Sequence, residues 1–176
     1  MKIVIINRSP WKEKPRMRKQ LSLLLRDCGH EIHYVQFTRR TVSKIPEFVD
    51  GITVYQYKER IDFRLRISFL NRINTWMVKR PIKYLLESIQ PDLIINFNID
   101  YYFLRRLTPI KIITFVNDDY ISQAKSIMKY QAKWWYTQTL GTSDLVLTVS
   151  YPLQKLLRQY AKNVQLFFFK ISIAKA

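Results

Sequence analysis

The sequence predicts an α/β fold in which a Rossmann-like, doubly wound parallel β-sheet of about seven strands is flanked by helices. Short runs rich in Ile, Val, Leu and Phe alternate along the chain with segments whose apolar residues recur at helical spacing. Several of these runs are apolar throughout, which is typical of strands that are buried on both faces of a parallel sheet. Strands that alternate with helices are joined almost always by right-handed crossovers, and this connection gives a doubly wound sheet.

The strands are predicted from the apolar runs. The first is a continuous apolar run that ends at the polar residue Asn7, and the second alternates between apolar and polar residues. In chain order, the predicted strands are residues 2–7, 31–37, 52–57, 93–97, 111–116, 145–149 and 164–169.

The helices are predicted from apolar spacing and from residues that begin or end helices. Pro15 suits a first helical turn and Gly29 ends the first helix. Pro81 marks a kink or a break in a long helix, Gly141 stops a later one, and Ser150 caps the last. The predicted helices are residues 15–29, 62–88, 100–107, 120–140 and 152–161.

The composition indicates one folded domain with an anionic partner. With 48% apolar and 14% aromatic residues, the 176-residue chain can bury a core, which excludes a disordered protein. Thirty Lys and Arg against 13 Asp and Glu give a net charge of +17. We therefore expect contact with a phospholipid surface, a phosphorylated substrate or nucleic acid. The one cysteine, Cys28, excludes a disulfide framework and is expected to be a small buried residue.

No export or membrane-spanning segment is predicted at the start of the chain. The apolar run over residues 3–6 is shorter than the roughly 7–15 apolar residues of a signal peptide or the about 20 of a spanning helix. We expect a cytoplasmic protein, either soluble or peripheral on the inner face of the cell membrane.

Ligands of doubly wound sheets bind beyond the carboxyl ends of the strands. Polar loops follow four of the predicted strands, at residues 7–14, 96–100, 117–120 and 150–152. These loops are the candidate site, although the fold by itself does not define a function.

Several motifs, in their order along the chain, resemble the amino-terminal domain of GT-B glycosyltransferases. The opening residues 1–6 with a following helix and then GHEIHYV (29–35) resemble the start of that domain, and PDLII (91–95) and SDLVLTVS (143–150) resemble two later strands. The sequence is most similar to the bacterial retaining group, known as group 1 or family 4-like, in which an Asp-Asp-Tyr-like motif follows the fifth strand, as in TFVNDDY (114–120).

This resemblance implies an acceptor-binding domain. GT-B enzymes have two Rossmann-like domains, of which the first mainly binds the acceptor and the second mainly holds the nucleotide-sugar donor. We expect residues 1–170 to form the first domain, residues 171–176 to be a tail, and the donor-binding domain to be absent from this chain. The implied function is transfer of a sugar from a nucleotide-sugar to a lipid-linked or cell-surface polysaccharide precursor, once a donor-binding domain completes the site. The chain alone is expected to be inactive.

Asp118 and Asp119 are the candidate catalytic residues. Adjacent acids at a strand end can place one side chain in the cleft while the other caps the following helix, and the resemblance implies that an acid near here touches the sugar or the acceptor. The alternative is that both residues only cap a helix that begins near Tyr120.

The candidate substrate-binding residues are the polar side chains of the strand-end loops. Cationic side chains after the first strand can bind a phosphate by charge, or they can form a solvated basic loop. The full candidate set is Arg8, Ser9, Lys12, Asn98, Asp100, Asn117 and Ser150. No cofactor is predicted, and no metal site, because His30 and His33 lack further ligands at a suitable spacing.

A basic and aromatic surface predicts binding to an anionic membrane. Lysines recur at every fourth position of one predicted helix, beside tryptophans, and the region from 60 to 80 has a wide apolar arc with arginines opposite. The candidate membrane-binding residues are Lys125, Lys129, Lys133, Trp134, Trp135, Arg64 and Arg72. Alternatively, these aromatic residues fill the core and the cations are solvated.

A second function class stays open. The chain could be a non-catalytic basic α/β module or subunit that binds an anionic membrane or nucleic acid. No recognition motif for nucleic acid is present, so no nucleic-acid partner is expected.

Overall fold

The computed structural model describes residues 1–12, 16–38, 45–58, 68–124 and 127–167. Its strands, in chain order, are β1 (Lys2–Asn7), β2 (Glu31–Thr38), β3 (Glu47–Val49), β4 (Ile52–Lys58), β5 (Leu93–Asn96), β6 (Lys111–Val116), β7 (Leu145–Thr148) and β8 (Val164–Leu166). Its helices are α1 (Met17–Asp27), α2 (Ser68–Ile89), α3 (Leu104–Leu107), α4 (Ile127–Trp135) and α5 (Tyr151–Leu157). A π-helical turn over Tyr136–Leu140, called the π turn below, follows α4 directly.

The strands form one sheet in the order β3-β4-β2-β1-β5-β6-β7-β8. All neighbouring pairs are parallel except β3 and β4. The Rossmann-like fold is therefore confirmed, and the described residues form eight strands where about seven were predicted. The additional strand, β3, reaches β4 through Asp50 and Gly51, which both have positive φ and make the tight turn of a hairpin.

Helices cover both faces of the sheet. On one face, Leu21 of α1 packs in a core with Ile3 and Ile5 of β1. On the other face, Ile82 of α2 packs in a core with Val4 of β1. A third core, built around the π turn, α5 and the ends of β6 and β7, adjoins that second face. Successive residues of a strand point to opposite faces, which is why the apolar run of β1 serves two cores.

The helix boundaries differ from the predicted ones in several places. α2 runs through Pro81 without a break, and its predicted first part falls outside the described residues. α4 begins at Ile127, not near Tyr120, because residues 120–123 form turns. Ser150 occupies the N-cap position of α5, as predicted, but its side chain makes no capping hydrogen bond.

Two further segments are shorter than predicted. The helix expected over residues 100–107 is limited to α3, and α5 ends at Leu157 rather than at residue 161. Cys28, expected to be buried, is exposed at the end of α1.

Candidate functional site

A cleft of about 530 Å³ opens where the strand order reverses. β1 lies between β2 and β5, so the chain leaves β1 toward one half of the sheet and returns to it in the other half. The loops after β1 (7–9), β5 (97–100) and β6 (117, 118, 120) line the cleft together with the start of α1 (16–18) and with residues 124, 128, 132 and 135. This is the position at which doubly wound folds bind their ligands.

A buried ion pair joins two of these loops. Arg8 donates from Nη1 and Nη2 to the two carboxylate oxygens of Asp100, at 2.8 and 2.7 Å. The side chains are only 15% and 6% exposed, and the guanidinium carbon of Arg8 lies 5.1 Å from the ring centre of Tyr101. Because each charge neutralises the other, this pair fixes the loops after β1 and β5 at one edge of the cleft.

The loop after β1 is held by a network of buried polar groups. Asn7 donates from Nδ2 to the Tyr34 hydroxyl at 2.6 Å, and this hydroxyl donates to the carbonyl of Ser9 at 3.1 Å. Arg18 of α1 donates to Oδ1 of Asn7 at 3.3 Å. In the next loop, the backbone N–H of Asn98 donates to the side chain of Asn96 at 2.9 Å. These bonds connect the loop after β1 to β2 and α1, and they join Asn98 to the end of β5.

Asp118 and Asp119 have different surroundings. Asp119 accepts hydrogen bonds from the backbone N–H groups of Ile121 and Ser122, both at 3.0 Å, and from the Ser122 hydroxyl. Asp118 lines the cleft and is exposed, and no donor within the described part of the chain contacts its carboxylate. Asp119 therefore caps a turn, whereas the carboxylate of Asp118 is available to a ligand.

Tyr120 contributes a protonated hydroxyl to the cleft. Burial raises the pKa of Tyr120 above 10.0, and the negative charge of Asp118 raises it further. A phenol with a raised pKa keeps its proton at neutral pH and can act as a hydrogen-bond donor.

Two buried polar atoms in the cleft residues lack partners. Among the described residues, neither Nε of Arg18 nor Oδ1 of Asn117 has a hydrogen bond. Buried polar groups without a partner are rare because each costs free energy. One donor and one acceptor of this kind suit a ligand that carries hydroxyl or phosphate groups.

The structure brings together most of the predicted substrate-binding residues. Those that line the cleft are Arg8, Ser9, Asn98, Asp100 and Asn117, together with Asp118. Lys12 lies elsewhere, with a largely exposed ammonium 3.4 Å from Glu47. Ser150, at the start of α5, is also outside the cleft lining.

Sequence reasoning missed the basic start of α1. Arg16 and Arg18 line the cleft, whereas the cations selected from the sequence came from the preceding loop. The signal available was their position at the N-cap (Arg16) and in the first turn (Arg18) of the helix after β1, because the start of this helix lies at the ligand-binding end of a doubly wound sheet. Tyr120 and Met128 were also not selected.

The predicted membrane residues fall on two surfaces. Lys129 and Lys133 are exposed on α4, and Trp134 is 43% exposed with its ring against Tyr102. Trp135, in contrast, lines the cleft. Lys125, Arg64 and the side chain of Arg72 lie outside what the structure describes. Within its described part, the chain has no helix with both the length and the apolar character needed to cross a bilayer.

Residues 17–165 match Glycosyltransferase Family 4. The match spans most of the chain, so this protein belongs to that family, and its fold is that of the amino-terminal domain of GT-B glycosyltransferases. The resemblance seen in the sequence is thereby confirmed. No curated protein matches the sequence significantly.

Solved structures share the fold at low sequence identity. Sucrose-phosphate synthase from Thermosynechococcus elongatus is 14% identical with a TM-score of 0.73, over 94% of this chain and 47% of that one. The lipopolysaccharide outer core galactosyltransferase WaaB is 15% identical with a TM-score of 0.62, over 98% and 47%. A trehalose-6-phosphate protein from E. coli, bound with UDP-2-fluoro glucose, is 8% identical with a TM-score of 0.65, over 95% and 48%. The chain thus spans about half the length of these proteins.

Proposed function

We propose that this chain is the acceptor-binding half of a glycosyltransferase and that the cleft beside β1, β5 and β6 binds the acceptor. The observation that carries this proposal is the exposed carboxylate of Asp118 in that cleft, beside the buried unpartnered atoms of Arg18 and Asn117. Membership of Glycosyltransferase Family 4 supports sugar transfer as the reaction class.

In the proposed reaction, an acceptor hydroxyl oxygen forms a bond to the anomeric carbon of the donor sugar. The bond between that carbon and the nucleoside diphosphate breaks, and the diphosphate leaves with the electron pair. The acceptor hydroxyl loses its proton in the process. Asp118 is the candidate to orient this hydroxyl or to accept its proton, because its carboxylate has no competing donor among the described residues.

The donor is a nucleotide-sugar held by a second domain. Two observations support this part of the proposal. The chain spans only about half of the similar glycosyltransferases, and one similar structure holds UDP-2-fluoro glucose. The chain alone is then expected to bind a nucleotide-sugar weakly and to transfer no sugar.

The acceptor in this proposal is a lipid-linked or polysaccharide precursor, used at the inner face of the cell membrane. The net charge of +17 and the exposed cations of α4 support contact with an anionic surface. A second feature points the same way: a groove of about 930 Å³ between α2 and β4 carries Trp76 and Tyr84, which are 76% and 57% exposed. Arg80 lies 5.7 Å from the ring centre of Tyr84. Aromatic rings beside cations are typical of membrane interfaces.

Sugar transfer is tested by combining the chain with a donor-binding domain, in cis or in trans, and measuring turnover of radiolabelled nucleotide-sugars. We expect turnover only in the combined form, and we expect Asp118→Asn to lower it about 10²-fold or more. Asp119→Asn is the matched control, since it removes a neighbouring charge that caps a turn outside the cleft. Full turnover by Asp118→Asn would show that the pair is structural, and turnover by the chain alone would contradict the half-enzyme proposal.

Membrane association is tested by co-sedimentation with phosphatidylglycerol vesicles and with neutral vesicles. We expect binding to the anionic vesicles alone, weakened by salt, and lost when Lys125, Lys129 and Lys133 are all changed to Glu. Equal binding to both vesicle types would contradict the electrostatic mechanism. Tighter binding to duplex DNA at the same salt concentration would favour the nucleic-acid module instead.

A further inference from the structure

The π turn contacts the two loops that carry the acidic residues of the cleft, Asp100 after β5 and Asp118 after β6. It continues α4 over Tyr136–Leu140 and contains two buried side chains with hydroxyl groups, Tyr136 and Thr139. π-helical turns are rare and occur frequently at functional sites. An α-helix turns about 100° per residue, so the wider turn changes the direction in which the side chains after α4 point.

Tyr136 holds the loop after β6. Its hydroxyl donates to the carbonyl of Asp118 and accepts from the backbone N–H of Tyr120, both at 3.1 Å. One oxygen therefore bridges the backbone on both sides of Asp119 and sets the direction from which Asp118 enters the cleft. The side chain is fully buried, and its ring packs edge-on against Tyr160 at 5.4 Å. Burial raises the pKa of Tyr136 well above its ordinary value, so the hydroxyl keeps the proton that it donates.

Thr139 holds the loop after β5. Its hydroxyl donates to the carbonyl of Ile99 at 2.5 Å, and the residue is 3% exposed. Ile99 immediately precedes Asp100, the partner of Arg8. The two hydroxyls of one helical turn thus hold the two loops that carry Asp118 and Asp100, and Asp100 in turn binds Arg8 of the loop after β1.

The sequence permits this turn because Gly141 ends it. Gly141 has an ordinary helical φ of −63°, so backbone freedom is not the reason for a glycine here. A Cβ at this position would lie 2.5 Å from the carbonyl oxygen of Thr137, which is closer than real Cβ contacts. A larger residue would have to displace that carbonyl.

We propose that the π turn sets the relative position of the two cleft loops, and that Tyr136 and Thr139 are positioning residues for sugar transfer. The part that concerns transfer rests on the proposed function. Neither side chain lines the cleft, so both act through the backbone of residues 99, 118 and 120.

Hydroxyl-deleting variants test this proposal directly. Tyr136→Phe removes the hydroxyl and keeps the ring, and Thr139→Val replaces the hydroxyl with a methyl group. Thr139→Ser keeps the hydroxyl and serves as the rescue variant. Thr137→Val is the matched control, because Thr137 lies in the same turn but its hydroxyl bonds to Lys133 of its own helix at 3.0 Å.

The first readout is hydrogen exchange of the backbone amides in the chain itself, which needs no substrate. We expect several-fold faster exchange at Tyr120 in Tyr136→Phe, where the amide keeps only its contact with the carbonyl of Asp118 at 3.1 Å, and faster exchange over residues 98–101 in Thr139→Val. Thr139→Ser and Thr137→Val are expected to match the wild type. Exchange at these amides that is unchanged in both deletion variants would overturn the proposal.

The second readout is turnover in the combined form of the enzyme. We expect kcat to fall tenfold or more in Tyr136→Phe and Thr139→Val, while KM for the nucleotide-sugar stays within twofold and Thr139→Ser restores kcat. A purely structural role would change the fraction of folded enzyme and leave kcat per folded molecule unaltered, which would overturn the catalytic part. If no form transfers sugar, the proposed function fails, and the exchange measurement alone still decides whether the π turn positions the loops.

Discussion

Two Arg–Asp pairs lie at opposite ends of the strands of the same sheet. The carboxyl ends of the strands are called the carboxyl edge below, and the amino ends are called the amino edge. Arg8 and Asp100 meet at the carboxyl edge, in the cleft, and their side chains are 15% and 6% exposed. Arg105 and Asp144 meet at the amino edge, where the side chains are 28% and 45% exposed. There Arg105 also donates to the carbonyls of Thr142, Pro109 and Ile110, and Asp144 accepts from the backbone N–H of Ile112 at 2.7 Å.

The two pairs differ in whether the polar groups around them have partners. At the amino edge, Arg105 and Asp144 bond to backbone groups that would otherwise end the strands without partners. At the carboxyl edge, the ion pair is complete, but the neighbouring Nε of Arg18 and Oδ1 of Asn117 have no partner within the described residues. Under the proposed function, these two atoms are ones that a ligand in the cleft would satisfy. The same residue types therefore complete the hydrogen bonding of one edge, whereas at the other they leave one donor and one acceptor unused among the described residues.

The largest expected difference in stability is between variants of the two aspartates, Asp100 at the carboxyl edge and Asp144 at the amino edge. Asp100→Asn leaves the charge of Arg8 uncompensated in a largely buried site, so we expect the free energy of unfolding to fall by about 3 kcal/mol. Asp144→Asn breaks a more exposed pair and should cost about 1 kcal/mol or less. Urea denaturation of both variants measures the two losses of stability, and equal losses would mean that the deeper burial of the Arg8–Asp100 pair does not raise the cost of breaking it.

A smaller difference in the free energy of unfolding is expected between a variant of Asn117, whose side-chain oxygen has no partner among the described residues, and a variant of Ser143, whose hydroxyl is fully bonded. Asn117→Ala should change the free energy of unfolding by less than about 0.5 kcal/mol, because the oxygen that it removes has no partner among the described residues. Ser143→Ala, near the amino edge, removes a hydroxyl that bonds to Thr114 at 2.7 Å and to the carbonyl of Thr139 at 2.8 Å. That loss should reach about 1–2 kcal/mol.

In binding measurements we expect the opposite ranking of the same two variants: the one that loses less stability loses more affinity for the acceptor. Asn117→Ala should weaken acceptor affinity in the combined enzyme several-fold, whereas Ser143→Ala should leave it unchanged. Isothermal titration is the suitable assay. A loss of stability in Asn117→Ala as large as that in Ser143→Ala would indicate that Asn117 is a structural residue.

The smallest expected effect is the pH dependence of the stability that Asp144 contributes at the amino edge. Burial alone would raise the pKa of Asp144, but the hydrogen bonds from Ile112 and Arg105 outweigh it and lower the pKa below 3.8. The stability that this ionised group contributes is therefore fully present above pH 3.8 and disappears as the pH falls through the lowered value. The difference in the free energy of unfolding between wild type and Asp144→Asn, measured by urea denaturation, should be constant from pH 7 to pH 5 and vanish in stronger acid. A difference that vanishes already near pH 6 would indicate another titrating group.

The sequence predicted the buried parallel strands well, and it predicted the short outer strand β3 and the start of α4 poorly. β1 and β6 have the predicted bounds, because a strand buried on both faces leaves a continuous apolar run. β3 has only three residues and no such run, although the Asp50–Gly51 pair is a strong hairpin signal that was available. The late start of α4 was hidden because Asp119 caps a turn with the same residue types that cap a helix.

The candidate site was predicted as a set of loops but not as a set of contacts. Topology alone brings Arg8, Asn98, Asp100, Asn117 and Asp118 to one cleft, and this much followed from the positions of the strands. The pairing of Arg8 with Asp100 depends on which rotamers meet across 92 residues of sequence, and no local pattern encodes it. The π turn was equally hidden, since a change of one residue in helical period is too small to read from apolar spacing.

The central position of β1 also governs how the protein is made. The ribosome delivers β1 first, and β2 and β4 can extend one side of it once residue 58 has been synthesised. The other side pairs with β5, where Ile3 meets Leu93 and Ile6 meets Asn96. At about 5–20 residues per second, the side of β1 that pairs with β5 stays unpaired for roughly 2–8 s longer than the side that β2 and β4 extend. An apolar strand with unpaired amides attracts other nascent chains, so the middle of the finished sheet is the part most exposed to aggregation during synthesis.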